Sequence, residues 1–193
     1  MSDPAWRLAT TADRQLFEGF TCTQAAPRSA FRRTRPVPHP RPWELDVQKW
    51  FHEKAPGRAA PNRSDDARVW IAVSAGRIAA AVAHSLPDLE YDNWLRKQLG
   101  DYPGPIRLLL AVAVSLEWRN RASGLADAAC SLAFQDAVAR SGGESTLMIG
   151  RIDLRNRASE RMARRNCFEP LTEGPDEFDP EMRQWYVMAD PPD

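Results

Sequence analysis

Apolar positions along the chain change period several times, and the changes mark out its elements. Trp6-Arg-Leu-Ala9 is a short extended start. Thr10 or Thr11 can cap the helix that follows, and Leu16, Phe17 and Phe20 supply its apolar face over 11–20. Trp43, Val47, Trp50 and Phe51 also fall on one helical face, with Pro42 suited to a first turn, so a second amphipathic helix is expected at 43–54. Arg68–Ser74 and Arg77–Ser85 are strands joined by a tight Ala75-Gly76 turn. Ile106–Val114 is a near-continuous apolar run, as expected of a central strand buried on both faces. A helix then runs to about Arg140, where Gly142-Gly143 stops it. A strand at 145–152, a helix at 156–166 and strands near 168–172 and 184–189 complete the pattern. Residues 86–105 have no dominant period and suggest at most a helical turn or two within 89–99. The resulting order, β-α-α-β-β-β-α-β-α-β-β without an internal repeat, predicts an α/β (α+β) chain with a single mixed central sheet flanked by helices.

Composition adds limits to this outline. With 193 residues and 43% of them apolar, one domain over 1–193 is expected. Residues 24–42 hold five of the 16 prolines and form a Pro/Arg-rich loop insertion, 55–66 is a polar linker, and 190–193 is a tail. Lys+Arg and Asp+Glu are 26 each, which argues against a nucleic-acid coating protein. The balance is uneven along the chain: 28–41 carries five Arg and no acid, and 167–193 carries eight acids against Arg183 alone. Three widely spaced cysteines fit neither a disulfide framework nor a metal motif, so a reducing compartment and no metal are expected. Charges stand where a signal peptide would need an apolar centre, and no apolar run is long enough to span a bilayer, which points to a cytoplasmic protein without a membrane partner.

Candidate chemistry concentrates at 112–126 and 156–168. At the first, a buried strand ends in a loop with Arg119, Arg121, Ser123 and Gly124, and a helix then opens with small residues. Free backbone N–H groups and the positive helix end converge there, which makes an anion site. At the second, Asn156 opens a short helix with Ala158 and Met162 facing inward, followed by a turn and Phe168. Asn with a small residue at plus two, an aliphatic at plus six and a Phe at plus twelve resembles the GNAT superfamily of acyl-CoA-dependent N-acetyltransferases. So does Arg121-Ala-Ser-Gly124-Leu-Ala126 after Ala113-Val114. Leu8–Asp13 and Trp70–Ser85 are similar to that family's first strand and central hairpin.

The resemblance implies acetyl-CoA as donor and a small-molecule amine or amine-bearing acceptor, in a chain compatible with a homodimer. It implies that Val112, Ala113 and Val114 pair with pantetheine, that Arg119, Arg121, Ser123, Gly124, Leu125 and Ala126 hold the diphosphate, and that Asn156 and Ser159 flank the cofactor arm. For a general base, Glu117 is the nearest carboxylate in sequence to the end of the central strand, and His84 ends the preceding strand. Each has an ordinary reading as well, a solvated loop charge and a structural imidazole. The chain departs from the family pattern at the position of an acidic Tyr, which is Ala163 here, so another donor such as Tyr91, Tyr102 or Tyr186 would serve, or water would, since a thiolate is already a tolerable leaving group. It departs again at the turn glycine, which is Cys167, so Asn166 is expected to take the left-handed conformation. Trp43, Trp50 and Trp70 have core spacing, whereas Trp94, Trp118 and Trp185 lie where a pocket could be lined. The alternative function is a degenerate module of the same fold that binds acyl-CoA or a protein partner without turnover. On the enzyme reading, the arginines of 119–121 and 151–165 surround the diphosphate and the acids of 167–193 face a cationic amine.

Overall fold

A computed structural model describes residues 3–23, 41–119, 124–177 and 179–192. The strands are β1 (Ala5–Leu8), β2 (Arg68–Ser74), β3 (Arg77–Ser85), β4 (Ile106–Val114), β5 (Thr146–Asp153), β6 (Glu169–Pro170) and β7 (Met182–Ala189). They form one sheet in the order β1-β2-β3-β4-β5-β7-β6, in which only β4 and β5 are parallel. The helices are α1 (Arg14–Glu18, after a 3-10 turn at Thr11–Asp13), α2 (Pro42–Glu53), α3 (Ala55–Arg58), α4 (Leu89–Gln98), α5 (Leu125–Arg140) and α6 (Arg157–Arg165). No helix among the described residues is long and apolar enough to cross a membrane.

Local chemistry explains most boundaries. Pro42 sits in the first turn of α2, where its missing N–H costs nothing. Ala75 and Gly76 are both left-handed (φ 49° and 71°), the type I′ geometry that matches the twist of the β2–β3 hairpin. The mixed sheet and flanking helices are as expected, but the element order is corrected in two places. Residues 55–58 form a helical turn inside the predicted linker. The illegible 86–105 stretch contains the full helix α4, whose signals are polar ones: Asp88 caps it by accepting from the Tyr91 N–H, Glu90 and Asp92 occupy the first turn, and Arg96 and Lys97 the last.

One face of the sheet is covered by α1 to α3, where Phe17 of α1, Phe20 just beyond it, Phe51 of α2 and Ala55 of α3 pack with Ile71, Ala81, Ala83 and Ala113. On the same face, Leu95 of α4 packs with Ile106, Leu147 and Ile149. Small residues of α5, Ala129, Ala133 and Ala137, cover the other face with Val82, Met148, Trp185 and Val187. Within β4 the alternation of faces breaks once. Ala83 pairs with Ala111 and His84 with Leu109, so Leu110 is an extra residue, and it packs on the same face as Ala111. At this bulge β4 and β5 part. Their pairing ends at Leu109 with Gly150, although β4 continues to Val114 and β5 to Asp153.

At the closed end of that divergence a polar network clamps three strands to α5. His84, fully buried, accepts from Arg107 Nε at Nδ1 (2.9 Å) and therefore donates from Nε2 to Asp136 (2.9 Å). Arg107 also donates to Asp66, which Arg140 of α5 binds from solvent, and Arg68 of β2 completes the group on Asp136. Burial, and after it the Arg107 charge, push the imidazole below its ordinary value against the pull of Asp136. Burial opposes the charge of Asp136 too, but the His84 and Arg68 hydrogen bonds outweigh it and hold that carboxyl well below the usual range.

At the far end of α6, Cys167 itself is left-handed (φ 61°), while Asn166 stays at φ −97°, which corrects the sequence expectation. The reason is the pair of bonds from Phe168 N to Ala163 O (3.0 Å) and from Cys167 N to Arg164 O (3.2 Å), which close a Schellman turn around residue 167 whatever its side chain.

Two predictions follow from these features. Replacing Cys167→Gly removes the left-handed strain and is expected to add about 1 kcal/mol, or roughly 2–4 °C in Tm, in a thermal melt; an unchanged or lower midpoint would contradict it. Because the folded His84 pKa is lowered, the folded state resists a proton that the unfolded chain takes up, so stability present above the unfolded value of 6.5 declines as pH falls below it. Urea titrations should show that slope between about pH 7 and pH 5. They should show it flattened in His84→Gln, which keeps one acceptor and one donor without a titrating proton.

Candidate functional site

The parting of β4 and β5 opens three clefts that meet along the divergence. The first, about 710 Å³, lies between Val112–Val114 of β4, the start of α5 and α6. The second, about 270 Å³, is the gap itself, lined by Leu109–Val112, Gly150–Asp153, Trp43 and Trp50 of α2, and Met162 and Ala163 of α6. The third, about 640 Å³, opens beside α4 with Asp88, Glu90, Tyr91, Leu108–Leu110, Arg151 and Met182. Trp43, Val112, Asn156 and Ser159 border both the first and the second, and Leu109, Leu110, Arg151 and Met182 border both the second and the third.

In the first cleft, Gly124 is left-handed (φ 59°) at the cap of α5, and a side chain on it would meet nothing within 4 Å. The amide-bearing start of a 16-residue helix thus faces open space, the arrangement that attracts an anion. Cations stand around it: Arg119 bridges to Glu44 of α2 (3.1 Å), Arg165 to Asp127 (3.0 Å), and Arg161 lines the wall. Asn156 caps α6 by accepting from Ser159 N (3.1 Å), and its Nδ2 donates to Ser159 Oγ (2.8 Å). That pair fixes both side chains at the mouth of the gap. The thiol of Cys22, also in this wall, is pushed up to about 11 by burial and is an inert apolar group.

Val112, Ala113, Val114, Arg119, Gly124, Leu125, Ala126, Asn156 and Ser159 share one cleft. Arg121 and Ser123 lie outside the described residues, as do residues 24–40 of the Pro/Arg-rich segment. Neither of the two base candidates lines any of the three clefts. His84 is locked in its network, and Glu117 pairs with Arg77 across the hairpin surface (3.0 Å). Tyr186 bonds Glu169, and Tyr102 lies beside Met188. Tyr91 alone of the three tyrosines faces a cleft; burial pushes its phenol up to about 12, and Gln184 Nε2 donates to it (2.9 Å).

Several lining residues had been assigned elsewhere. Trp43 and Trp50 have core spacing yet border the gap, because the helix face they share is laid across it. Arg151 and Arg155 are not at the anion end: Arg151 pairs with Asp176 (2.6 Å) beside the third cleft, and Arg155 with Asp153 (2.7 Å) and Glu181 (2.9 Å). Of the acids of 167–193, Asp176, Asp179 and Glu181 are thus taken up by these arginines, and the carboxylates that line the third cleft, Asp88 and Glu90, come from the cap and first turn of α4. The signal for Arg151 was present, since a charged residue directly follows the buried run Thr146–Gly150.

Neither a family model nor a curated protein sequence matches the chain. Solved structures do. They include the PaiA N-acetyltransferase from Thermoplasma acidophilum in complex with coenzyme A, at TM-score 0.60 and 11% identity over 97% of this chain and 99% of that one. Arabidopsis thaliana NAA60 in complex with acetyl-CoA matches at TM-score 0.56 and 13% identity, covering 95% and 97%. An acetyltransferase of the GNAT family from Streptococcus pneumoniae matches at TM-score 0.54 and 15% identity, covering 95% and 98%. The seven-stranded mixed sheet, parted between its two parallel strands and flanked by helices, is the GNAT acetyltransferase fold.

Proposed function

We propose that the chain transfers an acetyl group from acetyl-CoA to a primary amine by direct attack. The observation that carries this reading is the continuity of an anion-attracting helix start with an unpaired strand edge and a gap through the sheet. Each would be ordinary alone; in sequence they match a diphosphate, an extended amide arm and a reacting group. The residues fit the group: Gly124 leaves room for a diphosphate against the amides of Leu125 and Ala126, with Arg119, Arg161 and Arg165 around it. Beyond Leu109 the side of β4 away from β3 has no strand beside it among the described residues, so the backbone of Val112–Val114 can pair there with the amides of a pantetheine arm. Bound there, acetyl-CoA supplies an activated carbonyl, on which a C–N bond to the amine forms as the C–S bond breaks and the sulfur leaves with the electron pair.

The chain's own residues do the rest. The bulge at Leu110 interrupts the ladder at the gap and frees a backbone N–H to polarise a carbonyl lying there. Asp88 and Glu90 face the acceptor side, and an ammonium there can pass its proton to them through water. Ala163 brings no phenol to the sulfur side. The Trp43 ring borders the first two clefts with Arg155 over it at 5.3 Å, and its indole N–H is buried away from them. Water therefore protonates the departing sulfur.

The same Ala163 favours a second reading, a module of this fold that binds acyl-CoA without turnover. Release of free CoA thiol across a panel of amines distinguishes the two, since tight CoA binding with no release from any amine would leave only the module. Under either reading Gly124→Glu, which sets charge and bulk against the diphosphate, should weaken CoA binding about a hundredfold or more by calorimetry with an unchanged circular dichroism spectrum. Undiminished affinity would reject the site.

A further inference from the structure

Arg151 is an unusual residue to find where it is. Strand β5 is buried from Thr146 to Gly150, and the first side chain past the last β4–β5 pair is a guanidinium, 38% exposed, that borders both the gap and the acceptor cleft. It is held from behind. The Asp176 carboxylate, with no exposed surface, accepts from Arg151 Nε at 2.6 Å, and Asp179 approaches Nη2 at 3.8 Å. A guanidinium has five N–H donors in a rigid fork, and a partner on Nε leaves Nη1 to bind something else. Arg151 and Asp176 also act in opposite senses on the Tyr91 phenol, so the fork lies near the α4 wall as well as the gap.

We propose that the acceptor is an α-amino acid, whose carboxylate is taken by Arg151 while its amine stands at the gap. This rests on the acyl-transfer reading and narrows its acceptor. An α-carboxylate is one carbon from the reacting nitrogen, and Arg151 is the cation bordering both the space of the reaction and the space of the acceptor. The charges of the cleft are those of a zwitterion reversed: Arg151 for the carboxylate, Asp88 and Glu90 for the ammonium. The apolar wall of Leu108, Ile149 and Met182 leaves room for a side chain, which a cleft of about 640 Å³ accommodates. Atoms balance as in the general transfer: the ammonium first gives one proton through water toward Asp88 and Glu90 and so to solvent, the C–N bond forms as the C–S bond breaks, and the second nitrogen proton ends on the sulfur through water. Arg151 is a binding residue with no part in proton movement.

The test compares amino acids with their decarboxylated partners by calorimetry, with and without CoA: L-leucine against isoamylamine and L-lysine against cadaverine. The wild-type chain should bind the amino acid of each pair about tenfold or more tightly than its amine, and Arg151→Gln should reduce that ratio to about two or less. Because Arg151→Gln strands the buried Asp176 carboxylate, the double variant Arg151→Gln with Asp176→Asn removes both charges and should show the same loss of discrimination in a stably folded chain. Equal affinity within each pair, a preference that survives both variants, or no amino-acid binding at millimolar concentration would overturn the proposal. Failure of the chain to bind CoA would instead defeat the acyl-transfer reading, while the carboxylate preference is still measured directly.

Discussion

The structure depends on one incomplete pairing. Strands β4 and β5 share four residue pairs and then separate, although both continue. A parallel pair buried in the middle of a sheet would ordinarily stay zipped, because unpaired backbone groups away from water are costly. Two features make the separation stable. The Leu110 bulge twists β4 at the point of parting, and at the closed end His84, Arg107 and Asp66 tie β3 and β4 to Asp136 and Arg140 of α5, which holds β4 in place independently of β5. The clamp allows the other end to stay open. Each cleft described above is a consequence of that opening, and side chains from α2, α4, α5 and α6 gain access to one another through it.

Strands and their contacts were legible because burial writes a strong pattern. The apolar run of β4 and the hairpin flanked by Ala75-Gly76 leave little choice of period, and the predicted bounds 68–74, 77–85 and 106–114 coincide with the strands themselves. Helix α4 was illegible for the opposite reason. Leu95 is its buried residue, most of its surface is polar, and the information lies in a cap and in charges at its two ends, which period analysis ignores.

The starts of α5 and α6 were legible because backbone geometry there requires particular residues. Gly124 has to turn left at a helix cap, and Asn156 has to accept an N–H at another. The cleft beside α4 had no such requirement, and its members come from four separated stretches, at Asp88–Tyr91, Leu108–Leu110, Ile149–Arg151 and Met182. His84 was drawn into consideration by its position beside the central strand. Pairing does bring its backbone next to Leu109, but its side chain points to the α5 face, and alternation along a strand decides which of two adjacent spaces a residue serves. Trp43 shows the reverse error: helical spacing reports which residues share a face, and the face here borders a cavity.

The extra residue in β4 also constrains how the chain can vary in length. Before the bulge, Ile106 and Leu108 face α4 while Arg107 faces α5; after it, Ala111 and Ala113 face the helices of the first side while Val112 faces α5. Leu110 shifts the parity between the two halves. Loss of Leu110 would leave a regularly alternating strand with Arg107 still on the α5 face, but would remove the bulge at which β4 and β5 part; a further residue gained there would instead put Arg107 out of step with Ala111 and Ala113 and turn it toward the apolar cluster of Leu95. The segment from 106 to 114 can therefore exchange side chains of similar character far more readily than it can gain or lose a single position.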